Sequence, residues 1–153
     1  MSPGLYTELF FLDEATSLAA GHRPCAECRR SDFTNYATKW NKIQGLPGRA
    51  YVKDMDPVLH DQRHASARTS PNQTVIPSDQ PNGTMVVIKG APHLVWQNFL
   101  WRWTSGGYEN PIRISCVSSA QLITPIATRS ILAAGYTPQV HPTICTVESN
   151  AQL

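Results

Sequence analysis

The sequence predicts an α+β fold with N-terminal helices around a Cys-x-x-Cys turn, a small antiparallel sheet and one C-terminal helix. Two observations carry this prediction. In residues 5–45, apolar side chains recur at spacings of three and four, which is typical of helices. From residue 83 onward, short segments rich in β-branched and aromatic residues alternate with turn residues, which is typical of hairpins. Since the helical and extended segments are segregated along the chain, the class is α+β.

Three helices are predicted before the sheet. "LDEATSLAAG" has acids at its front and Gly21 behind, which favours a helix ended by a glycine cap. "SDFTNYATKWNKIQG" predicts a second helix from an N-cap at Ser31 to Gly45, with an aromatic stripe facing the core. "DMDPVLHDQRHA" predicts a third, short helix capped by Asp56, with Pro57 at its first position.

A polar stretch, residues 66–82, separates these helices from the sheet and is predicted to be a loop with a short strand at 74–76. "TMVVIKG" and "HLVWQNFLWRWT" predict strands, the second with a turn at Gln97-Asn98. "IRISCVSS" and "AQLITP" predict further strands, and "PIATRSILAAG" predicts a helix from Pro125 to Gly135. Cys116 is expected to be a small core residue in one of these strands. The alternating tryptophans could stack on nucleic-acid bases, but the alternation favours a core.

The composition limits the possible functions. The 153 residues indicate a single domain, which we place at 1–142, with the sheet and last helix at 83–135 and a flexible tail at 143–153. The net charge of +2 is too small to indicate nucleic-acid binding by itself. No apolar run approaches the roughly 20 residues that span a bilayer, and the N-terminus lacks a positive signal region. The expectation is a cytoplasmic protein whose four cysteines are ligands, reactive thiols or core residues.

The segment "GHRPCAECRR" contains the motif that points to chemistry. Cys25 and Cys28 have the spacing of two ligands on one tetrahedral zinc ion, but a closed structural site needs four. His60 and His64 would share one face of the third helix and could supply the other two. A redox dithiol and a pair of inert thiols are the alternatives. Arginines flank the motif and could contact phosphate or simply be solvated, namely Arg23, Arg29 and Arg30.

The run "LFFLDEATSLAAGHRPCAECRR" resembles the second half of the Ada-type metal-binding domain, the zinc module of methylphosphotriester DNA repair proteins. The matching residues are Phe10, Phe11, Ala15, Ala19, Ala20, Gly21, Arg23, Pro24, Cys25 and Cys28. The resemblance implies that residues 5–45 form a helical zinc-binding segment. In that family an upstream cysteine pair completes the zinc site and accepts the methyl group. No residue here matches that pair, so the resemblance implies zinc ligation by Cys25 and Cys28 but no methyl transfer.

The whole chain is also similar to a group of bacterial proteins that share segments such as "DPVLH", "PNGTMV" and "WTSGGY", and this similarity implies no activity. Because such proteins can extend further upstream, one hypothesis is that Met1 is an internal start and that the missing ligands precede it. Three functions remain open. They are a non-enzymatic zinc-binding domain with possible DNA or phosphate contact, an enzyme that joins a thiol to His60 or His64, and an interaction domain with a degenerate zinc half-site.

Overall fold

A computed structural model describes residues 9–68 and 73–144 of the chain. The α+β prediction is confirmed, with the helices and the sheet segregated along the chain. The helices are α1 (Glu14–Ala19), α2 (Arg30–Ile43), α3 (Val52–Arg68) and α4 (Ile126–Ala133). The strands are β1 (Thr74–Val75), β2 (Met85–Ile88), β3 (Ala91–Trp96), β4 (Phe99–Thr104), β5 (Gly107–Arg113) and β6 (Ala120–Leu122). No helix in the described ranges is both long and apolar enough to cross a membrane.

The four helices enclose one core. The predicted aromatic stripe of α2 is confirmed, since Phe33, Tyr36 and Trp40 are all buried. α4 contacts both α2 and α3. Its N-terminus has no local side-chain cap, and the side chain of Gln62 in α3 instead accepts a hydrogen bond from the amide of Ala127 at 3.0 Å. α3 therefore supplies a hydrogen-bond acceptor to the start of α4 in addition to the apolar contact between the two helices.

α3 is longer than the sequence predicted, and its start was wrong. It begins at Val52, so Pro57 lies inside the helix rather than at its first position. Met55 and Leu59, which are four residues apart, are both buried in the helical core. Their packing stabilises helix on both sides of Pro57, whose missing amide costs one intrahelical hydrogen bond. In α2, likewise, Ser31 is not the N-cap, because the helix already begins at Arg30.

The sheet is antiparallel throughout, in the order β1-β6-β2-β3-β4-β5. The predicted turn between β3 and β4 is confirmed, and both of its residues have positive φ, 47° at Gln97 and 67° at Asn98. Such a two-residue turn matches the right-handed twist of the paired strands. Trp101 packs with α1 on one face of the sheet. Leu100 is fully buried in a second apolar cluster on the other face, so β4 is covered on both sides at this point.

Several peripheral segments differ from the predictions. Cys116 was expected in the core, but it is exposed in a 3₁₀ turn, Ile114–Cys116, that follows β5. The polar segment 66–82 begins within α3 and contains a 3₁₀ turn, Pro77–Asp79, while its predicted short strand is confirmed as β1. Ile144, in the predicted tail, is buried against the sheet, whereas Cys145 lies outside the described residues.

The tryptophans lie in the core, as the alternation favoured. Trp101 is 2% exposed, and Trp96 and Trp103 are partly buried against the same cluster. The ring of Trp101 also contacts that of Phe99, with ring centroids 6.1 Å apart, so this face of β4 is interior packing.

Candidate thiol site

The connection from α1 to the thiols is a tight helix ending, as the sequence predicted. The amide of Gly21 donates to the carbonyl of Leu18 at 3.0 Å, and the amide of His22 donates to that of Ser17 at 3.1 Å. These two bonds form a Schellman motif, which requires the left-handed conformation that Gly21 adopts at φ 80°. A β-carbon at Gly21 would also lie 3.3 Å from Cβ of Arg63 in α3, so the turn and α3 are in close contact.

Cys25 and Cys28 share one turn directly before α2. Their Sγ atoms are 3.2 Å apart, and the Cys28 amide points at Sγ of Cys25 at 3.5 Å. The amide of Arg29 also donates to the Cys25 carbonyl at 3.1 Å, so the turn leads into the helix without a break. Cys25 is partly exposed and Cys28 is exposed. Both thiols can therefore be reached from solvent.

The surrounding turn makes the two thiols chemically unequal. Hydrogen bonds from the Cys28 amide, the Cys28 thiol and the Glu27 amide lower the pKa of Cys25. The pKa of Cys28 is raised, chiefly because its thiol donates to Cys25 and lies beside that negative charge. A thiolate at Cys25 is the form that binds a metal and the form that attacks a disulfide.

Arg23 ties the thiol turn to the helices on either side. It makes a two-point ion pair with Asp56 of α3, with Nε 2.6 Å from Oδ1 and Nη2 3.0 Å from Oδ2. Its guanidinium also lies over the ring of Phe33 in α2, 5.3 Å from the ring centroid. These contacts hold the turn against α2 and α3, so Arg23 has a structural role.

Arg29 is held in a similar way, by carboxylates of α1 and α2. Its Nη2 lies 3.0 Å from Oε2 of Glu14 and 2.6 Å from Oδ2 of Asp32. Glu14 is buried and also accepts hydrogen bonds from the hydroxyl of Tyr136 at 2.5 Å and the amide of Gln139 at 2.8 Å. Of the three arginines for which phosphate contact and solvation were the two alternatives, two are thus engaged by acidic side chains, and Arg30 is exposed at the start of α2.

A cleft of about 600 Å³ opens beside the thiols. Its walls include Phe11, His22 and Pro24 together with both cysteines. His22 lies against the ring of Phe11, with the ring centroids 5.3 Å apart. Burial, followed by the positive charge of Arg63, lowers the pKa of His22, although Asp56 opposes that effect. The neutral imidazole that results is the form able to ligate a metal.

The predicted histidine pair forms, but neither ring lines the cleft beside the thiols. His60 and His64 lie against each other on the exposed face of α3, with tilted rings whose centroids are 4.3 Å apart, which confirms their shared face. His60 lines a cleft of about 890 Å³ between α3 and the end of α1. Within 9–68 and 73–144, no three His, Cys, Asp or Glu side chains are close enough together to hold a metal. The four predicted ligands are therefore not gathered in one site.

Two contributors to the site were missed by the sequence reasoning. Glu14 was noted only as an acid at a helix start, yet it is buried and joins α1, Arg29 and the C-terminal segment. His22 was given no role, yet it lines both clefts. Its place directly after a helix-ending glycine and three residues before Cys25 was the available signal.

Comparison of the chain with protein-family models, with curated proteins and with solved structures finds no significant match. The resemblance of residues 9–30 to the Ada-type module therefore stays a prediction. The function of the site has to be inferred from its own geometry.

Proposed function

We propose that the protein is a non-enzymatic zinc-binding domain in which Cys25 and Cys28 are two of the metal's ligands. The observation that carries this proposal is the turn itself. Backbone amides of Glu27 and Cys28 stabilise the Cys25 thiolate, and the second sulfur stands 3.2 Å away on the same open surface. Hydrogen bonds from backbone amides to a sulfur are well suited to a metal thiolate, since they stabilise its charge without blocking the remaining lone pairs.

The spacing of the sulfurs is compatible with a metal ion. Two thiolates that each lie about 2.3 Å from a tetrahedral zinc ion are about 3.8 Å apart. The observed 3.2 Å must therefore open by roughly half an ångström to admit zinc, a change that small side-chain rotations can make. A disulfide requires about 2.05 Å, and rotations of the same two side chains could also close that gap.

The neighbouring charges support zinc more than a nucleic-acid role. Arg23 and Arg29 are already paired with Asp56, Glu14 and Asp32. These pairs hold the turn in place and leave less positive charge for a phosphate. We therefore propose no DNA partner for this site.

The test is metal content, measured by inductively coupled plasma mass spectrometry on protein purified without chelator and under a phosphine reductant. The expected result is stoichiometric zinc in the native chain and its loss in Cys25→Ser and Cys28→Ser. Cys116→Ser is the matched control, because Cys116 is also an exposed cysteine but lies in the turn after β5. Zinc that is absent from the native chain, or retained by both single variants, would refute the proposal.

A second candidate, thiol–disulfide exchange, is favoured by the unequal thiols. A lowered pKa at Cys25 and a raised pKa at Cys28 would suit an attacking and a resolving cysteine. In that case Cys25 attacks a substrate disulfide, the substrate's thiolate leaves, and Cys28 then displaces the second sulfur to form the protein disulfide. Reduction of a model disulfide such as cystine by the metal-free chain, abolished by Cys28→Ala, would favour this candidate. Inertness towards the disulfide together with bound zinc would favour the first.

A further inference from the structure

The proposed zinc site supplies two ligands, and zinc in a structural site takes four. No third His, Cys, Asp or Glu joins Cys25 and Cys28 in a potential metal site within the two described ranges. Both thiols nevertheless open onto the surface, where a second set of ligands could approach from outside the chain. The two cysteines thus provide two of the four tetrahedral coordination positions at an exposed surface.

Two apolar side chains are exposed beside the thiols. Leu9 and Phe10 line the same cleft as the cysteines, and they are 59% and 88% exposed. An almost fully exposed phenylalanine beside a leucine is unfavourable in water, and its burial against a partner would release that cost. A partner that completes the metal site would cover this patch at the same time.

We propose that two copies of this chain share one zinc ion, each supplying Cys25 and Cys28 across a twofold axis through the metal. This inference rests on the proposed function, because it names the source of the missing ligands. A twofold axis brings the same patch of each copy together, so each contact of a residue with the partner is repeated with the two copies exchanged. Two thiols from each copy then give a Cys₄ site, and each Phe10 side chain packs into the cleft beside the partner's thiols.

The charge near the site has to be compensated in this arrangement. Four thiolates around Zn²⁺ carry a net charge of −2, which needs nearby positive charge to be stable in a partly buried interface. Arg30 is exposed two residues after Cys28, so each copy carries one guanidinium group in the segment that follows the thiols. Glu27, between the two cysteines, opposes that charge. Arg29 is held by Glu14 and Asp32 and keeps the turn in position.

The experiment is a measurement of mass and zinc content on the same full-length sample, under reductant, by size-exclusion chromatography with light scattering and by elemental analysis. The expected result is a dimer with one zinc per two chains. Chelator should convert it to a zinc-free monomer, and added zinc should restore the dimer. Cys25→Ser and Cys28→Ser should be monomeric without zinc, while circular dichroism shows that they remain folded.

Control variants separate the sources of the ligands. Cys116→Ser and Cys145→Ser should keep one zinc per two chains, because neither residue belongs to the proposed Cys₄ set. His22→Ala tests the neighbouring imidazole separately, since His22 lines the same cleft as the thiols. Phe10→Ser should weaken the dimer at least tenfold in dissociation constant. Arg30→Gln should lower zinc affinity while leaving the stoichiometry unchanged.

The outcomes distinguish the zinc-binding function from the shared site. One zinc per chain, in any oligomeric state, overturns the shared site but leaves the zinc-binding function standing. Zinc lost from His22→Ala or Cys145→Ser has the same meaning, because a different residue is then a ligand. A dimer that persists in chelator overturns the metal as the link. No zinc in the native chain overturns the function and the shared site together.

Discussion

The burial of Glu14 gives a prediction that can be worked out quantitatively. Its carboxylate is 7% exposed and accepts hydrogen bonds from Arg29, from the hydroxyl of Tyr136 and from the amide of Gln139. In Glu14→Gln one of the two oxygens becomes an NH₂ group, which cannot accept. At least one buried donor then loses its partner, and Arg29 loses one of its two carboxylates.

The size of the effect follows from these contacts. A hydrogen bond to a charged group contributes about 1.5–3 kcal/mol, and breaking a buried ion pair costs about 3–5 kcal/mol. The Arg29 side chain is 31% exposed and still has Asp32, so its share lies below that range. We expect Glu14→Gln to lower the free energy of unfolding by about 2–4 kcal/mol. With a urea m-value of about 2 kcal/mol/M, the denaturation midpoint should fall by about 1–2 M.

Glu109→Gln is the matched control. Glu109 pairs with Arg102 at 3.5 Å, but both side chains are about half exposed, at 48% and 51%. Such a surface pair contributes about 0–1 kcal/mol, so this variant should unfold close to the native midpoint. The measurement is urea denaturation followed by tryptophan fluorescence, with unchanged m-values as the sign that unfolding is still two-state. Equal midpoints for the two variants would refute the idea that Glu14 joins α1 to the C-terminal segment.

Two further predictions concern the sheet. Burial lowers the pKa of His93, and the hydrogen bond to the Ala91 carbonyl only partly opposes that effect. The unfolded chain therefore binds more protons below about pH 6.5, and the free energy of unfolding falls as the pH drops through that value. His93→Gln should flatten the pH dependence of the unfolding midpoint between pH 7 and 5, while exposed His60→Gln should leave it steep. Gly107→Ala, whose β-carbon would lie 2.7 Å from Cγ2 of Thr143, should destabilise the protein by about 1–3 kcal/mol more than Gly90→Ala, which also has positive φ but an open surface. Equal thermal unfolding midpoints for the two glycine variants would contradict this prediction, because the close contact with Thr143 would then cost no stability.

The parts of the fold that were predicted correctly depend on short-range patterns. The aromatic stripe on α2 could be predicted from Phe33, Tyr36 and Trp40 because a helix repeats every 3.6 residues. The turn at Gln97-Asn98 could be predicted because few residues tolerate positive φ. Gly21 could be identified as a helix end for the same reason. Each of these signals lies within a few residues of the element that it defines.

The parts that were missed depend on distant partners. α3 continues through Pro57 because Met55 and Leu59 are buried by other helices. Cys116 looked like a core residue, since its neighbours Ile114 and Val117 are apolar, but the chain leaves the sheet before it. Glu14 could be placed at a helix start but not in the interior. The bond that holds it there comes from Tyr136, 122 residues further along the chain.

The sequence by itself determined the two-cysteine motif, the helices that flank it and the hairpins that follow, because these depend on local spacing and backbone preference. The tertiary structure alone decided what surrounds the thiols. It paired Arg23 with Asp56 across 33 positions and Arg29 with a buried glutamate, and it left His60 and His64 outside the cleft that the thiols line. The physical reason is that ion pairs, burial and ligand sets join residues that are close in space, and their sequence separation carries no periodic signal.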